Sequence, residues 1–386
     1  MTRRLLLIGA GHAHAQVLRS WIAAPVPGVS LVLVSPSALA PYSGMVPGWL
    51  AGVYRFEAIC IDFAALAAAA GARLLIDELV HLDPDRRQAH LASGQVLGYD
   101  LLSLNVGSTL RPPALAGPGQ VLALRPLGEL RQHWEALLDN PALAPGRRAL
   151  RVTVVGGGAA GVEALLAVLA RLRERQHQHP AGQAVTGQLI TRGPLLPGLA
   201  AGARRAARAA LAAAGVEVLT GTAFDPAGPQ APPDLLLWAT GALAQAWQAG
   251  SGLAVNGGGF IAIDDRLQSL SHPQVLAEGD CAHFADQSGQ PLPKAGVFAV
   301  RMGPVLAHNL RALLLGQPLQ RYRPQRRYLA LLATADGRAI GAWGALSAQG
   351  RWLWRWKDRI DRGFLARFTV ARPAAGQHRP ANGQPP

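Results

Sequence analysis

Two glycine-rich turns, each following a short apolar run, constrain this chain more than any other feature. The first is Leu5-Leu6-Leu7-Ile8-Gly9-Ala10-Gly11-His12-Ala13-His14. The second, about 150 residues later, is Val152-Thr153-Val154-Val155-Gly156-Gly157-Gly158-Ala159-Ala160-Gly161-Val162-Glu163. Each reads as a buried parallel strand, a tight turn and the start of a helix. That arrangement aims backbone N–H groups and a helix N-terminus at a pyrophosphate. One such turn is weak evidence. Two at this separation predict two dinucleotides in one chain, an electron path between them, and an α/β fold of two Rossmann-like units.

The bulk numbers agree with a folded chain of two or three domains: 386 residues, half of them hydrophobic, with a mean hydropathy of +0.16. No apolar run approaches the roughly 18 to 20 residues that span a bilayer. Arg3-Arg4 followed by Leu5 to Ile8 is too short for a secretory signal and runs straight into the glycine turn, so it reads as a strand. Cys60 and Cys281 stand far apart, with no CxxC or CxxxxC pair, which argues against a dithiol relay and for a cytoplasmic chain. The net charge of +14 is almost all arginine, since Lys294 and Lys357 are the only lysines. Such a charge suits anionic cofactors, anionic lipid or nucleic acid. No nucleic-acid motif accompanies it, and nucleic acid is not an expected partner.

Along the first 115 residues strand and helix alternate. Leu5–Ile8 is strand, His12 to Ile22 helix and Ser30–Val34 strand. Asp62 caps a helix that Gly71 ends, Leu74 to Leu82 is one further strand, and a hairpin turns at Ser93-Gly94. The apolar run Leu101 to Val106 ends in Gly107-Ser108, as the later run Leu235 to Trp238 ends in Ala239-Thr240-Gly241. The two halves share a start and an end, which suggests duplication of one nucleotide-binding unit. Domain boundaries are expected at 1–118, 119–248, 249–318 and 319–372, with a disordered Pro- and Gly-rich tail at 373–386.

In the second turn Gly156, Gly158 and Gly161 fill all three positions of the fingerprint. In the first, His14 stands where the third glycine belongs. His12 and His14 read as packing or polar contacts, and no metal site is expected. Neither unit has the acid that usually closes its second strand: the first has Val34-Ser35-Pro36, the second Ile190-Thr191-Arg192. Ser35 offers a weaker bond to a ribose, and Arg192 suits a 2′-phosphate, so NADH and NADPH both stay open. Glu278-Gly279-Asp280 puts a carboxylate where ribityl hydroxyls can bond it. A helix from Pro293-Lys294-Ala295-Gly296 aims N–H groups and Lys294 at a flavin's pyrimidine end.

Beyond residue 320, Trp352, Trp356, Ile360, Phe364 and Phe368 recur every four residues, in a segment with an excess of four positive charges over 351–368. On a helix they form one apolar stripe. It suits an anionic membrane surface, or equally a seat on the flavin domain or on a second copy in a homodimer.

Together these motifs resemble the pyridine nucleotide-disulfide oxidoreductase superfamily, in particular its type II NADH dehydrogenase-like members. Gly11-His12-Ala13-His14, Pro41-Tyr42-Ser43-Gly44-Met45-Val46-Pro47-Gly48 and Pro293-Lys294-Ala295-Gly296-Val297 are most similar to the flavoprotein that some bacteria carry fused to selenide, water dikinase. The resemblance implies a glutathione reductase-like fold: an FAD domain split by an NAD(P)H domain, plus a small C-terminal α+β region. It implies an FAD site at Gly9, Gly11, His12, Ala13, Ser35, Ser43, Gly44, Gly107, Gly279, Asp280, Lys294 and Ala295. A nicotinamide nucleotide site falls at Gly156, Gly158, Gly161, Glu163, Arg192 and Gly241. Glu163 sits either near the nicotinamide or on the helix surface. Lys294 and Glu163 are the catalytic candidates. The implied reaction passes hydride from NAD(P)H to FAD and electrons on to a quinone or another small acceptor, in the cytoplasm or peripherally on the inner face of the plasma membrane. A flavin-bound redox sensor like apoptosis-inducing factor, or an oxidoreductase serving selenium metabolism, are the alternatives.

Overall fold

The computed structural model describes residues 2–115, 117–144, 149–178, 184–228, 232–284, 291–325 and 327–370. The tail expected at 373–386 lies outside them.

The first unit begins with β1 (Arg3–Ile8), α1 (His12–Ala23) and β2 (Val29–Ser35). Leu5, Leu6 and Leu7 are wholly buried, as a strand covered on both faces requires. The chain then makes an excursion through β3 (Leu39–Pro41), α2 (Val46–Leu50) and β4 (Cys60–Asp62), where β3 and β4 pair antiparallel. It returns through α3 (Phe63–Ala69) and β5 (Arg73–Ile76). Asp62 caps α3 as expected, its Oδ1 accepting from Ala65 N at 2.9 Å.

The single strand expected from Leu74 to Leu82 is two. β5 stops at Ile76, and β6 (Leu79–Asp83) opens an antiparallel meander with β7 (Gln88–Leu91) and β8 (Val96–Gly98). Asp77 makes the break. Its carboxylate accepts from the Glu78 and Ser93 N–H groups and from the Ser93 hydroxyl, a local alternative to the ladder. β9 (Leu101–Leu104) then re-enters the first sheet beside β1.

The second unit repeats the plan with β10 (Gln120–Ala123), α4 (Leu127–Asp139), β11 (Leu150–Val155), α5 (Ala159–His177), β12 (Val185–Thr191), α6 (Ala201–Ala213), β13 (Val216–Thr220) and β14 (Leu235–Trp238). A short α7 (Ala246–Ala249) and β15 (Ile261–Ala262) lead to β16 (Val275–Ala277), which joins the first sheet. Next come β17 (Ala282–His283) and the long α8 (Gly296–Leu315). The two sheets run β16-β9-β1-β2-β5 and β10-β14-β11-β12-β13, parallel throughout. In each, the strand that feeds the glycine turn is central, so both turns open at the C-terminal edge of a buried sheet, the ligand edge of doubly wound folds. The first sheet is completed only after the second unit has been built, which splits the first unit in sequence.

The C-terminal region is the antiparallel sheet β18 (Leu329–Ala333), β19 (Ala339–Trp343), β20 (Leu346–Gly350), followed by α9 (Arg351–Ala366). There are two cores, one around each sheet. Met45, Val46, Trp49 and Leu50 of the excursion belong to the second core, as do Leu332, Ile340 and Ala342 of the C-terminal sheet. Phe364 and Phe368 belong to the first.

The regular four-residue spacing in α9 does not make one stripe. Each step of four turns about 40° past a full revolution, so a row that starts on one face ends on another. Exposure falls along the row, from 58 % at Trp352 through 43 % at Trp356 and 41 % at Ile360 to 6 % at Phe364 and 3 % at Phe368. Lys357, counted above with the surface cations, is buried on the inner face with Leu353 and Asp361.

Candidate functional site

Each glycine turn is a cradle shaped by missing side chains. Gly156 has φ +132°, and a Cβ there would lie 2.2 Å from Ala239 O. At Gly161 a Cβ would lie 2.1 Å from Gly156 O, so α5 meets its strand only through glycine. Gly158, the N-cap of α5, has extended backbone and open space on its Cβ side. Gly241 is equally open. Arg192 is exposed at the end of β12.

The first cradle keeps the first glycine but differs at the other two positions: a Cβ at Gly11 would meet the Asn105 side chain at 1.9 Å, where Gly158 is open, and His14 stands at the third. Gly9 has φ +96°, and its Cβ would lie 2.4 Å from Asn105 O. At the third-glycine position, His14 is wholly buried. Its Nδ1 lies 2.6 Å from Gly9 O and its Nε2 2.8 Å from Ser103 Oγ. Burial lowers this imidazole to about 4, so it is neutral: Nδ1–H donates to the carbonyl and Nε2 accepts the Ser103 hydroxyl. The histidine thus replaces close backbone contact with a specific bond, and the motif survives the substitution. Ala13 is buried at the same helix start. Gly107, at φ +70°, has open space around it. Ser35 spends its hydroxyl locally, donating to Ser37 O at 2.9 Å.

Across from the first cradle, a 3-10 turn carries Gly279 and Asp280, and α8 starts at Gly296 with Ala295 as its N-cap. Asp280 Oδ2 pairs with Arg125 Nη1 at 2.6 Å, and the same guanidinium donates to Ser108 Oγ at 2.5 Å. Arg125 comes from the second unit, at the end of β10, and sequence reasoning missed it. A lone arginine before a proline carries no local signal. Lys294 donates to Ala282 O and lies 3.9 Å over the Phe260 ring. Desolvation lowers its pKa. The ammonium is therefore turned into the chain, and Gly279, Asp280, Lys294, Ala295 and Phe298 line the slot before α8.

His12 packs edge-on to Tyr42, ring centres 5.3 Å apart, and Tyr42 packs on Phe364. Burial holds His12 near 4 against the opposing pull of Asp280. Ser43 Oγ lies close to where a Cβ of Gly296 would sit, and Gly44 O accepts from Lys357 Nζ at 2.5 Å.

Glu163 points from α5 toward the C-terminal sheet. From α5 its Oε1 accepts the Ala333 N–H of β18 at 2.7 Å. It lines a second slot of about 390 Å³, open to solvent, with Pro47, Gly48, Ala167, Ala333 and Trp354. Burial pushes its carboxyl up to about 7, against the downward pull of Lys357. Sequence spacing gave no hint of this slot, because its walls come from α2, α5, β18 and α9.

Both thiols are free, and burial pushes each up to about 12, so neither is a thiolate nucleophile at neutral pH. Among the described residues no cluster of three or more His, Cys, Asp or Glu fits a metal ion. No described helix is long and apolar enough to cross a membrane.

Residues 3–303 match the model of the pyridine nucleotide-disulphide oxidoreductase family. Demethylphylloquinone reductase NdbB of Synechocystis sp. is 28 % identical over 309 residues, covering 74 % of this chain and 72 % of that protein. A type II NADH:quinone oxidoreductase of Haemophilus influenzae is 29 % identical over 189 residues, covering 45 % and 42 %. The solved sulfide:quinone oxidoreductase of Aquifex aeolicus superposes with a TM-score of 0.76 at 16 % identity, over 95 % of this chain and 91 % of that one. The chain belongs to the pyridine nucleotide-disulphide oxidoreductase family.

Proposed function

We propose that this member of the family is an FAD-dependent NAD(P)H oxidoreductase that reduces a quinone. The observation that carries the reading is the pair of cradles at the C-terminal edges of two parallel sheets, each with its glycine in a conformation a side chain would block. Both fit a pyrophosphate by helix N-terminus and open backbone. FAD suits the first, because the Gly279-Asp280 turn and the start of α8 close over it. NAD(P)H suits the second.

FAD, when bound, would supply two-electron chemistry between the nicotinamide and the acceptor. The protein's part is placement and charge. Asp280, held by Arg125 and Ser108, offers carboxylate oxygens to ribityl hydroxyls. The N-terminus of α8 favours negative charge at its end. The acceptor belongs in the slot lined by Glu163 and Trp354. Its walls are mainly apolar, and its one carboxyl is poised near neutrality to give a proton to a quinone oxygen. Two unpaired thiols, both held protonated, leave no dithiol step. Flavin-loaded protein reduced with one equivalent of NAD(P)H is expected to reoxidise much faster with a short-chain quinone than with oxygen. Equal rates with both contradict a built quinone site.

Trp354 ties the slot to α9, whose exposed residues suit a membrane surface. Trp352, Trp356 and Ile360 of α9 are exposed, as are Trp343 and Leu346 of the β19–β20 hairpin, and the exposed Arg351, Arg355 and Arg359 are interleaved with them along α9. Apolar rings among arginines fit an anionic bilayer surface, from which a lipid-soluble quinone reaches the slot. Burying a large apolar side chain gives about 1.5–3 kcal/mol, so Trp352→Ser with Trp356→Ser is expected to weaken binding to phosphatidylserine-rich vesicles on the order of 100-fold or more. Co-sedimentation at fixed salt reads it. Unchanged binding removes this face from the proposal.

A further inference from the structure

The inner face of α9 carries two charged side chains that this reading does not use. Lys357 and Asp361 lie one turn apart, each 7 % exposed at its side chain, with Nζ and Oδ2 2.6 Å apart. Removing both charges from water is costly, and the pair survives only where further bonds satisfy it. Groups from two other segments, the Tyr42 to Gly44 turn and α5, converge on it. Gly44 O accepts from Lys357 Nζ. The Tyr42 hydroxyl lies close enough to the Asp361 carboxyl to favour its ionised form. Glu163 of α5 lies within electrostatic reach of both, favoured in its ionised form by Lys357 and in its protonated form by Asp361. Asp358 acts on Asp361, and Arg367 on Tyr42. One ammonium thus acts on two carboxyls and is hydrogen-bonded to only one of them.

We propose that Asp361 is a positioning residue for the acceptor slot: it holds the Lys357 ammonium on its own side, so that Glu163 keeps the proton a two-electron acceptor takes up. The inference rests on the quinone reading above. The balance is simple. NAD(P)H gives up a hydride, and the quinone gains two electrons and two protons. One proton arrives with the hydride. The other passes from Glu163, whose O–H bond breaks as the quinone O–H bond forms, and the carboxylate then regains a proton from solution.

Removing the charge of Asp361 frees Lys357 to approach Glu163 and favours the carboxylate. Removing the charge of Lys357 favours the carboxyl. These shifts have opposite signs, which a merely structural role does not produce. In the full-length, flavin-loaded protein, the infrared carboxyl band lost in Glu163→Gln identifies the group. Its titration midpoint is expected near 7 in the parent chain. It should fall by about one pH unit or more in Asp361→Asn and rise by about one in Lys357→Met. Any other pattern overturns the proposal, and if Asp361→Asn does not fold, the sign of the Lys357→Met shift decides alone. Quinone turnover by the same proteins separates the two readings. A parent chain that reduces no quinone refutes the acceptor assignment while the titration stands. Unmoved midpoints with intact quinone turnover refute only the role of Asp361.

Discussion

Gly158→Ala protein is expected to fold, hold flavin and melt like the parent, and to lose affinity for NAD(P)H on the order of 100-fold. Gly158 has φ −76° and ψ 175°, a conformation open to any residue, and no atom lies within 4 Å of the added Cβ. The methyl group meets no atom of the free protein, costs at most a small loss at the helix N-cap, and stands in the path of a bound pyrophosphate. Its neighbours behave differently. Ala at Gly156 or Gly161 meets backbone oxygen at 2.2 Å or 2.1 Å, so those variants also lose stability. Fluorescence titration of NADH and NADPH, beside a thermal melt, tests the difference. Unchanged affinity in Gly158→Ala contradicts a pyrophosphate at this turn.

The second large effect concerns stability. Glu278 is fully buried, and neither carboxyl oxygen has a hydrogen-bond partner among the described residues. Desolvation, with Asp280 nearby, raises its pKa well above the usual range. An unsatisfied buried polar group costs about 1–3 kcal/mol even when neutral, so Glu278→Met is expected to stabilise the flavin-loaded chain by that order. The sign of the pH dependence follows from linkage. The folded state holds this proton more tightly than the unfolded one, so the parent is at its best below the unfolded-state pKa. It loses stability as pH rises toward the folded value. The advantage of the Met variant therefore widens from acid to alkaline pH. Urea unfolding at about pH 5 and about pH 8 reads it, and a constant gap, or a less stable variant, contradicts this account of the carboxyl.

These two effects bracket what a sequence can carry. The cradles were legible because a fingerprint is local: strand, turn and helix are contiguous, and glycine at a blocked position leaves its mark in the chain itself. Asp62 was legible for the same reason, being a cap whose bond closes three residues on. What failed was non-local. Arg125 acquires meaning only when β10 brings it to Asp280, 155 positions later. The surroundings of Glu163 are non-local too, since its Oε1 accepts from the Ala333 backbone, 170 positions later. The stripe on α9 was correct in composition and wrong in geometry, since a four-residue period drifts around a helix and hands Phe364 and Phe368 to the core. His14 looked like damage to a motif until Gly9 O and Ser103 supplied its two bonds.

The central claim is that one chain brings a nicotinamide and a flavin together for direct hydride transfer. Anaerobic stopped-flow mixing of the flavin-loaded protein with NADH, and separately with NADPH, tests it most directly. Rapid bleaching of the yellow colour by at least one of them, within a single turnover and without added thiol, is the expected result. Flavin that stays oxidised with both nucleotides at saturation contradicts the account.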